Sequence, residues 1–399
     1  NARWLRSRAR GYRHLFDARV GHFQGRGDDG AFRLDPDVFD PGIWGSDYTE
    51  TNGWGMTFTV PHDGNGLAWL FGGREGLAAR LDAFFATPEP GGDAVRGTYS
   101  YLIHEISEAK DIRLGMLALS NQPAHHIPAM YLFAGRPDRT QAIVRECLDR
   151  LFLGSDLGQG YPGDEDNGEM STWWLANALG LYPLVVGEPG YVVTSPLFPR
   201  ATVRLPGGRT LEIVAHGAGR DAVYVQSLRV DGEPWSSTWI PRAVLAAGAR
   251  LEFELGPEPS AWGSRAEDAP PSLTPLGEEP RPLVDVAVDA GRSSHPLAFD
   301  DDSTHAVVLA PGEAIEYRLA APAELALYTV TTTAGPASWT LDAVDHGRVQ
   351  RLDERVATPF RWERQTRPFA PAHATAAGTL RFTNASVAPL AVHQLEFLA

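Results

Sequence analysis

The sequence has almost no cysteine, a single lysine (Lys110) and no long run of apolar residues. The one cysteine, Cys147, cannot form an internal disulfide and excludes a metal site built from several thiolates. No apolar stretch approaches the length of a membrane span. A formal net charge of -15 would repel the phosphates of nucleic acid. These shortages argue against a membrane span and a nucleic-acid partner.

What is present is an ordinary globular balance, with 43% hydrophobic and 21% charged residues over a length that predicts two or three domains. Residues 1–185 have helical periodicity. Apolar residues between Ile143 and Phe152 recur on one helix face, and Cys147 lies on that face as an inert core residue. Residues 1–17 also have a helical pattern, without a capping residue, initiator methionine or signal peptide. We therefore expect the chain to be cut from a longer one.

The pattern changes to β-strands over residues 186–265, where LEIVAH and AVYVQSLRV are rich in β-forming residues. The Asp-Gly pair at Asp231 and Gly232 predicts a hairpin. Residues 266–283 are rich in proline, serine and acids and indicate a linker. Residues 284–399 are again β-rich, with LALYTVTTT and GTLRFTN as the clearest strands. The sequence therefore predicts a multidomain α plus β protein.

The segment GSDYTETNGWGMTFTVPHDGNGL, residues 45–67, places Glu50 among aromatic side chains, with Trp54 close behind it. Desolvation beside aromatic rings favours the protonated form of a carboxyl group, which is the form that a general acid needs. Glu50 could equally cap or solvate the start of a helix. This segment alone leaves both interpretations open.

The segment SYLIHEISEAKD, residues 100–111, carries His104, Glu105 and Glu108 at the predicted start of a helix. Spacings of three and four residues bring such side chains onto one helix face. They could bind a metal or a sugar hydroxyl, or they could form a solvated face. The order of residues differs from the His-Glu-x-x-His zinc motif.

The segment LSNQPAHHIPAMYLFAG, residues 119–135, has Asn121 and Gln122 before a proline at a helix start. Their side-chain amide oxygens are hard neutral ligands that suit calcium. Helix capping by Ser120 or Asn121 is the plainer interpretation, and the two roles are compatible.

The segment GYPGDEDNGEMSTWW, residues 160–174, has three successive acids, Asp164, Glu165 and Asp166. If these residues are extended, Asp164 and Asp166 point to the same side. Such a pair can hold a water molecule, and a calcium ion would offset the repulsion between the carboxylates. The spacing excludes a calcium loop of the EF-hand type.

The four segments, taken in this order, resemble glycoside hydrolase family 92, a family of calcium-dependent, inverting exo-α-mannosidases. The motifs that carry the resemblance are DYTE-x-N-x-W…VPHD, HEI-x-E, NQP-x-x-H and GDEDNG-x-MS-x-W. The run LGLYPLVVGEPGYVVTSPLF is also similar, so the resemblance covers residues 1 to about 265. It implies the second half of an (α/α)6 catalytic barrel over 1–185 and a C-terminal β-domain packed on that barrel over 186–265. The 266–283 linker and an accessory β-sandwich over 284–399 that could bind carbohydrate would follow. The N-terminal half of the same enzyme would be a partner missing from this chain.

The resemblance also implies roles for individual residues. Glu50 would be the general acid, and Asp164 with Asp166 would activate a water molecule on the opposite face of the sugar. The implied cofactor is Ca2+, bound by Glu108, Asn121, Gln122 and Asp166. The implied substrate-binding residues are Trp54, His104, Glu105 and Asn121. In this family the His-Glu pair goes with α-1,2 linkages.

The implied substrate is a mannose-terminated glycan, such as an N-glycan or yeast mannan, and the implied location is secreted or at the surface of a bacterial cell. The alternative is a non-catalytic carbohydrate-binding or assembly fragment whose β-domains do the work. The acids Asp300, Asp301 and Asp302 could ligate a structural calcium in the last module, or form a solvated turn. An intact Glu50 and an intact pair of aspartates favour the enzyme.

Overall fold

The structure is a computed structural model that describes residues 1–27, 29–153, 160–185, 187–345 and 347–399. Its helices in chain order are α1 Ala2–Arg8, α2 Gly53–Met56, α3 Gly64–Leu70, α4 Arg74–Ala86, α5 His104–Ile112, α6 Pro137–Leu151, α7 Glu169–Ala178 and α8 Arg242–Ala246. Its first strands are β1 Phe16–Asp17, β2 His22–Phe23, β3 Leu181–Tyr182, β4 Gly190–Val193, β5 Arg200–Arg204, β6 Thr210–His216, β7 Tyr224–Val230, β8 Glu233–Pro234, β9 Trp239–Pro241 and β10 Arg250–Gly256. The remaining strands are β11 Val307–Leu309, β12 Ala314–Glu324, β13 Leu327–Thr332, β14 Gly335–Asp345, β15 Arg348–Phe360, β16 Gln365–Phe369, β17 Ala376–Asn384 and β18 Leu390–Leu398.

The chain forms two compact units. One unit consists of residues 12–280, and the other combines residues 1–11 with residues 281–399. The unit at 12–280 contains α2 to α8 with β1 to β10, and the other contains α1 with β11 to β18. This mixture of helices with several sheets agrees with the predicted α plus β class, while the domain boundaries drawn from the sequence stay predictions.

The two longest helices of the unit at 12–280, α4 and α6, bury residues at helical spacing. In α4 the buried residues Leu77, Leu81 and Phe84 follow the four- and three-residue spacing of one helix face. In α6 the predicted face is confirmed, because Ile143 and Cys147 are among its buried residues. Burial also raises the pKa of the Cys147 thiol, which keeps the sulfur protonated and unreactive.

The β part of the first unit has three sheets among the described residues, in the orders β1-β2, β3-β4-β9 and β5-β6-β10-β7-β8. Strands β6 and β10 are parallel. The predicted hairpin is confirmed between β7 and β8. Its turn residues Asp231 and Gly232 have φ angles of 50° and 85°, which Asp and Gly tolerate better than most residues.

Residues 266–280 of the predicted linker belong to the unit at 12–280 and make polar contacts within it. The buried Asp63 carboxylate accepts hydrogen bonds from the Thr274 backbone N–H and hydroxyl, both at 2.7 Å, and from the Ser272 hydroxyl at 2.8 Å. The carbonyl of Asp268 accepts the backbone N–H of Thr238 at 2.7 Å. These contacts fix residues 268–274 within the unit, and the linker assignment stays a prediction.

The second unit has two antiparallel four-stranded sheets among the described residues, in the orders β11-β18-β13-β16 and β12-β17-β14-β15. Side chains from both sheets share one hydrophobic core. At its centre the fully buried Trp339 donates its indole N–H to the hydroxyl of Tyr328 at 2.9 Å. The strands predicted at LALYTVTTT and GTLRFTN are confirmed as β13 and β17.

Within the described part of the chain, none of the helices combines the length and apolar character that crossing a lipid bilayer requires.

Candidate active site

Glu50 lies in a tight loop that precedes α2. The backbones of Trp44 and Asn52 pair at the two ends of this loop, and Asn52 caps α2 by accepting the backbone N–H of Gly55 at 3.1 Å. Glu50 itself has a φ of 54°, an uncommon left-handed conformation for a residue with a side chain. Its side chain is exposed, so the desolvation by aromatic neighbours that the sequence suggested is not seen within this chain.

Asn121 connects this loop to the next candidate segment. Its buried side-chain amide donates to Oε2 of Glu50 at 3.0 Å and to the Glu50 carbonyl at 3.3 Å. Its side-chain oxygen accepts the backbone N–H of Gln122 at 3.1 Å, at the start of a short 3-10 turn over Gln122–Ala124. Asn121 therefore caps a turn and orients a carboxylate at the same time.

The acidic loop lies over the same turn. A side chain at Gly163 would put its Cβ 2.4 Å from the carbonyl oxygen of Ser120, so only glycine allows this close approach. Gln122 donates its side-chain amide to Oδ2 of Asp166. The loop thus brings Asp166 to the neighbour of Asn121, although 44 residues separate Gln122 from Asp166.

Residues 164–166 are not extended, so the condition under which Asp164 and Asp166 would point to the same side is not met. Glu165 has helical angles of φ -71° and ψ -29°, and Asp166 has a left-handed φ of 48°. The two aspartates consequently contact different partners. Asp164 approaches Nε2 of His104 to 3.9 Å, whereas Asp166 contacts Gln122.

The first turn of α5 supplies the other polar group of the site. His104 donates from Nδ1 to Glu108 at 3.1 Å, and its Nε2 lies 3.5 Å from Oε1 of Glu105. Partial burial disfavours the charged imidazole, but the charges of Glu105, Glu108 and Asp164 outweigh it and raise the pKa of His104. The predicted face of this helix is therefore a connected group of side chains that the acidic loop completes.

Three contacts that the sequence analysis missed hold this arrangement. His125 bonds through Nδ1 to Glu169 at 3.0 Å, which fixes the start of α7 next to the 3-10 turn. The indole N–H of Trp173 donates to the carbonyl of His125 at 3.0 Å. The Glu50 backbone N–H donates to the Tyr99 hydroxyl at 2.8 Å. Periodicity gives no signal for such contacts, because each joins residues from separate segments.

Trp54 lies on α2 and packs away from these carboxylates in its observed contacts. Its ring meets the ring of His22 edge-on, with centroids 5.0 Å apart, and the guanidinium of Arg80 lies 4.7 Å from its centre. A sugar-binding role for Trp54 stays a prediction.

The residues predicted to bind calcium offer several oxygen atoms. Glu108 Oε2 is buried and has no hydrogen-bond partner among the described residues, so one hard oxygen is available for a cation. Asp166 and Gln122 are in contact, and the side-chain oxygen of Asn121 keeps one lone pair beyond its bond to Gln122. The described residues contain no group of three or more His, Cys, Asp or Glu side chains able to hold a metal. The predicted set differs from such groups, because it combines only two carboxylates with two amides. Their oxygen atoms fit a hard cation.

Comparison with known proteins gives one family. The Glycosyl hydrolase family 92 catalytic domain matches residues 1–257. A curated relative from Arthroderma benhamiae, described as an uncharacterized secreted glycosidase, is 28% identical over 227 residues, which are 56% of this chain and 26% of the relative.

Solved structures give the same result. The family GH92 α-mannosidase BT3965 from Bacteroides thetaiotaomicron matches with a TM-score of 0.60 and 25% identity, over 69% of this chain and 34% of that protein. The same enzyme in complex with mannoimidazole matches with a TM-score of 0.61 and 26% identity, over 69% of this chain and 36% of that one. The inverting mannosidase BT2199 from the same organism matches with a TM-score of 0.56 and 34% identity, over 66% of this chain and 35% of that one. The chain therefore spans about a third of the length of these structural relatives.

Proposed function

Because this chain belongs to glycoside hydrolase family 92, we propose that it is the part of a calcium-dependent, inverting exo-α-mannosidase that carries the acid and base. Structural relatives described as α-mannosidases, one of them inverting and one bound to mannoimidazole, support a mannoside as the substrate. The proposed substrate is a terminal mannose on a glycan such as an N-glycan or yeast mannan.

One observation carries the proposal most directly. Asn121 bonds to the Glu50 carboxylate, and its neighbour Gln122 bonds to Asp166, so a short polar turn connects the proposed acid to the proposed base. Glycoside hydrolysis with inversion needs two carboxyl groups on opposite sides of one sugar ring. Two adjacent amide side chains that each hold one carboxylate give a simple way to fix such a pair.

In the proposed reaction, Glu50 donates its proton to the glycosidic oxygen as the bond from that oxygen to the anomeric carbon breaks. Asp164 and Asp166 act as a pair that accepts a proton from the water molecule attacking the opposite face. The anomeric carbon thereby exchanges one C–O bond for another with inversion. We expect the acid and base carboxyl groups to lie roughly 6.5–9.5 Å apart, which leaves room for that water.

Glu108, Asn121, Gln122 and Asp166 are the residues that would hold Ca2+. When bound, the ion would supply a positive charge that binds sugar hydroxyls and offsets the repulsion within the acidic loop. The buried Glu108 Oε2, which has no hydrogen-bond partner in the described part of the chain, supports this assignment. The amides of Asn121 and Gln122 also contact Glu50 and Asp166, so they would orient both carboxylates in addition to any role as ligands.

An α-1,2 linkage is the proposed specificity. His104 and Glu105 lie together at the start of α5, and His104 also approaches Asp164. Both side chains can hydrogen-bond to sugar hydroxyls, and their assignment to the leaving-group side rests on the family resemblance, in which such a pair goes with α-1,2 linkages.

The finer architecture is also proposed. Residues 1–185 would supply the second half of an (α/α)6 barrel, and residues 284–399 an accessory β-sandwich. The N-terminal half of the enzyme would complete the sugar subsite, since the chain spans about a third of the length of its structural relatives. Secretion, or display on a bacterial surface, is proposed because a curated relative is described as secreted.

The test is the configuration of the first sugar released. Proton NMR during turnover of an α-1,2-mannobioside should show β-mannose first, whereas α-mannose first would refute the roles given to Asp164 and Asp166. The chain should be assayed by itself and together with its N-terminal half. Turnover only in the joined form is expected, because part of the sugar subsite would lie in that half. Sugar binding without turnover in either form would favour the alternative of a non-catalytic fragment.

A further inference from the structure

The loop that carries Glu50 has an unusual backbone at both ends. Ser46 and Glu50 have φ angles of 60° and 54°, and Gly45 has one of 74°. Left-handed backbone angles are unfavourable for residues that carry a Cβ atom and persist where the surrounding structure fixes them. Contacts with residues outside the loop must therefore hold its backbone in the left-handed conformation.

Two consecutive residues of another segment supply these contacts. The Ser46 backbone N–H donates to the Thr98 hydroxyl at 2.7 Å, and the Glu50 backbone N–H donates to the Tyr99 hydroxyl at 2.8 Å. Ser46 and Glu50 thus each donate a backbone hydrogen bond to one side chain of a neighbouring pair of residues. The pair accepts at both ends of the loop, which fixes the orientation of the loop as well as its position.

The fit between the two segments is close. A Cβ atom at Gly45 would lie 2.5 Å from the Thr98 hydroxyl and 3.1 Å from the Tyr99 ring, so the loop can approach only because this position is glycine. The segment before Thr98 is itself fixed, because the backbone N–H of the buried Trp44 donates to the Val95 carbonyl at 2.9 Å. Thr98 and Tyr99 therefore form a firm support.

The backbone and the carboxylate of Glu50 are held by different residues. Asn121 contacts the carboxylate and the carbonyl, and Tyr99 contacts only the backbone N–H in the observed hydrogen bonds. Removing the Tyr99 hydroxyl would leave the polar contacts of the carboxylate in place. It would loosen the backbone from which the carboxylate extends.

We propose that Tyr99 is a positioning residue that aims Glu50 at the glycosidic oxygen by fixing the left-handed backbone of the loop, with Thr98 assisting at Ser46. This role rests on the proposed function of Glu50 as general acid. Small misplacements of a catalytic group cost up to about 10²-fold in rate. The cost should fall on the step that needs the proton and should depend on the leaving group.

The first measurement needs no activity. Hydrogen exchange followed by mass spectrometry should show the amides of residues 46–50 exchanging about 5- to 10-fold faster in Tyr99→Phe than in wild type, as expected for one lost hydrogen bond. Tyr101→Phe is the matched control, because Tyr101 is exposed and should leave this exchange unchanged. Equal exchange in the two variants would overturn the structural basis of the proposal.

The second measurement uses the active enzyme, as the chain or joined to its N-terminal half, and a series of α-mannosides with good and poor leaving groups. Tyr99→Phe should lower kcat about 10- to 100-fold on a mannobioside and much less on a dinitrophenyl mannoside, with KM little changed. Thr98→Val should show the same trend more weakly. A uniform loss on all substrates, or no loss, would overturn the positioning role.

Glu50→Gln, measured in parallel, separates the positioning role of Tyr99 from the proposed role of Glu50 as general acid. If Glu50→Gln depends on the leaving group and Tyr99→Phe does not, only the positioning role fails. If wild type releases no mannose, or Glu50→Gln affects every substrate equally, the acid role of Glu50 and the positioning role fail together. The exchange measurement would still report whether Tyr99 fixes the loop.

Discussion

The side-chain amide of Asn121 donates a hydrogen bond to Oε2 of Glu50 at 3.0 Å across 71 residues of sequence. An amide in this position orients one carboxylate oxygen and leaves the other available for a proton. The same residue caps the turn that presents Gln122 to Asp166. The relative position of the two proposed catalytic groups therefore depends on one short turn.

Glu50→Gln should separate substrates by their leaving groups. Glutamine keeps the oxygen that Asn121 contacts but lacks a proton to donate. Hydrolysis of a mannobioside should fall about 10²–10⁴-fold, because its alkoxide needs protonation. An aryl or fluoride mannoside should lose far less, as measured by steady-state kinetics. Glu75→Gln, on the exposed first turn of α4, is the control. An equal loss on both substrates would make Glu105 the next candidate acid.

Asp166→Asn should impair both kinds of substrate by a similar factor, about 10²–10⁴-fold, because water must be activated whatever group leaves. Asparagine tolerates the left-handed φ of 48° at this position, and its oxygen can still accept from Gln122. The variant should therefore fold normally, as circular dichroism would show. Asp111→Asn, at the exposed end of α5, controls for loss of a negative charge. Retained activity on an aryl mannoside would contradict a base role.

Removal of calcium should abolish activity, and its return should restore it. The proposed ligands are carboxylate and amide oxygens, which select hard cations. Magnesium should substitute poorly because it holds its own water molecules tightly. Titration of the chelated enzyme with each metal would measure this, and Glu108→Gln should raise the calcium concentration needed. Full turnover after exhaustive chelation would exclude the ion from the reaction.

The unit formed by residues 1–11 and 281–399 should lose stability as the pH rises from about 4 to about 6. Burial, reinforced by the charges of Glu396 and Asp301 and opposed by two backbone N–H donors, raises the pKa of Asp285 from 3.8 to about 6. The folded state then binds the proton more tightly than the unfolded state. The stabilising contribution of the protonated Asp285 is complete below pH 4 and is lost as the pH passes 6.

Asp285→Asn should remove this dependence and stabilise the unit by about 1–3 kcal/mol at pH 7.5, with little change at pH 4. Asparagine keeps the oxygen that accepts from the backbone of Ala287 and Phe397. Denaturant unfolding at both pH values measures the difference, and Glu324→Gln, at an exposed site of the same unit, is the control. An equal effect at both pH values would contradict the raised pKa.

The unit at residues 12–280 should respond in the opposite direction. Burial lowers the pKa of His126 from 6.5 to about 4, although its bond to the Phe58 carbonyl at 2.8 Å partly opposes this. The unfolded state therefore takes up the proton first. The stabilising contribution of the neutral His126 is complete above pH 6.5 and is lost as the pH falls towards 4. Hydrogen exchange corrected for intrinsic rates should show the two units changing in opposite directions between pH 4 and 6.

The sequence by itself determined the elements that depend on local pattern. The apolar face of α6 follows from helical spacing, and the hairpin between β7 and β8 follows from Asp231 and Gly232. Four ordered motifs were also enough to indicate the family. Each of these features depends on residues that are close in sequence, so it can be predicted without knowledge of its spatial neighbours.

The tertiary structure alone decided how the candidate site is put together. Asn121 meets Glu50, and Tyr99 meets the same loop, although 71 and 49 residues separate each pair. Periodicity says nothing about such pairs, nor about the buried polar contacts that Ser272 and Thr274 make with Asp63. The left-handed backbone at Glu50 has the same cause, because contacts from distant segments hold a conformation that glutamate itself disfavours.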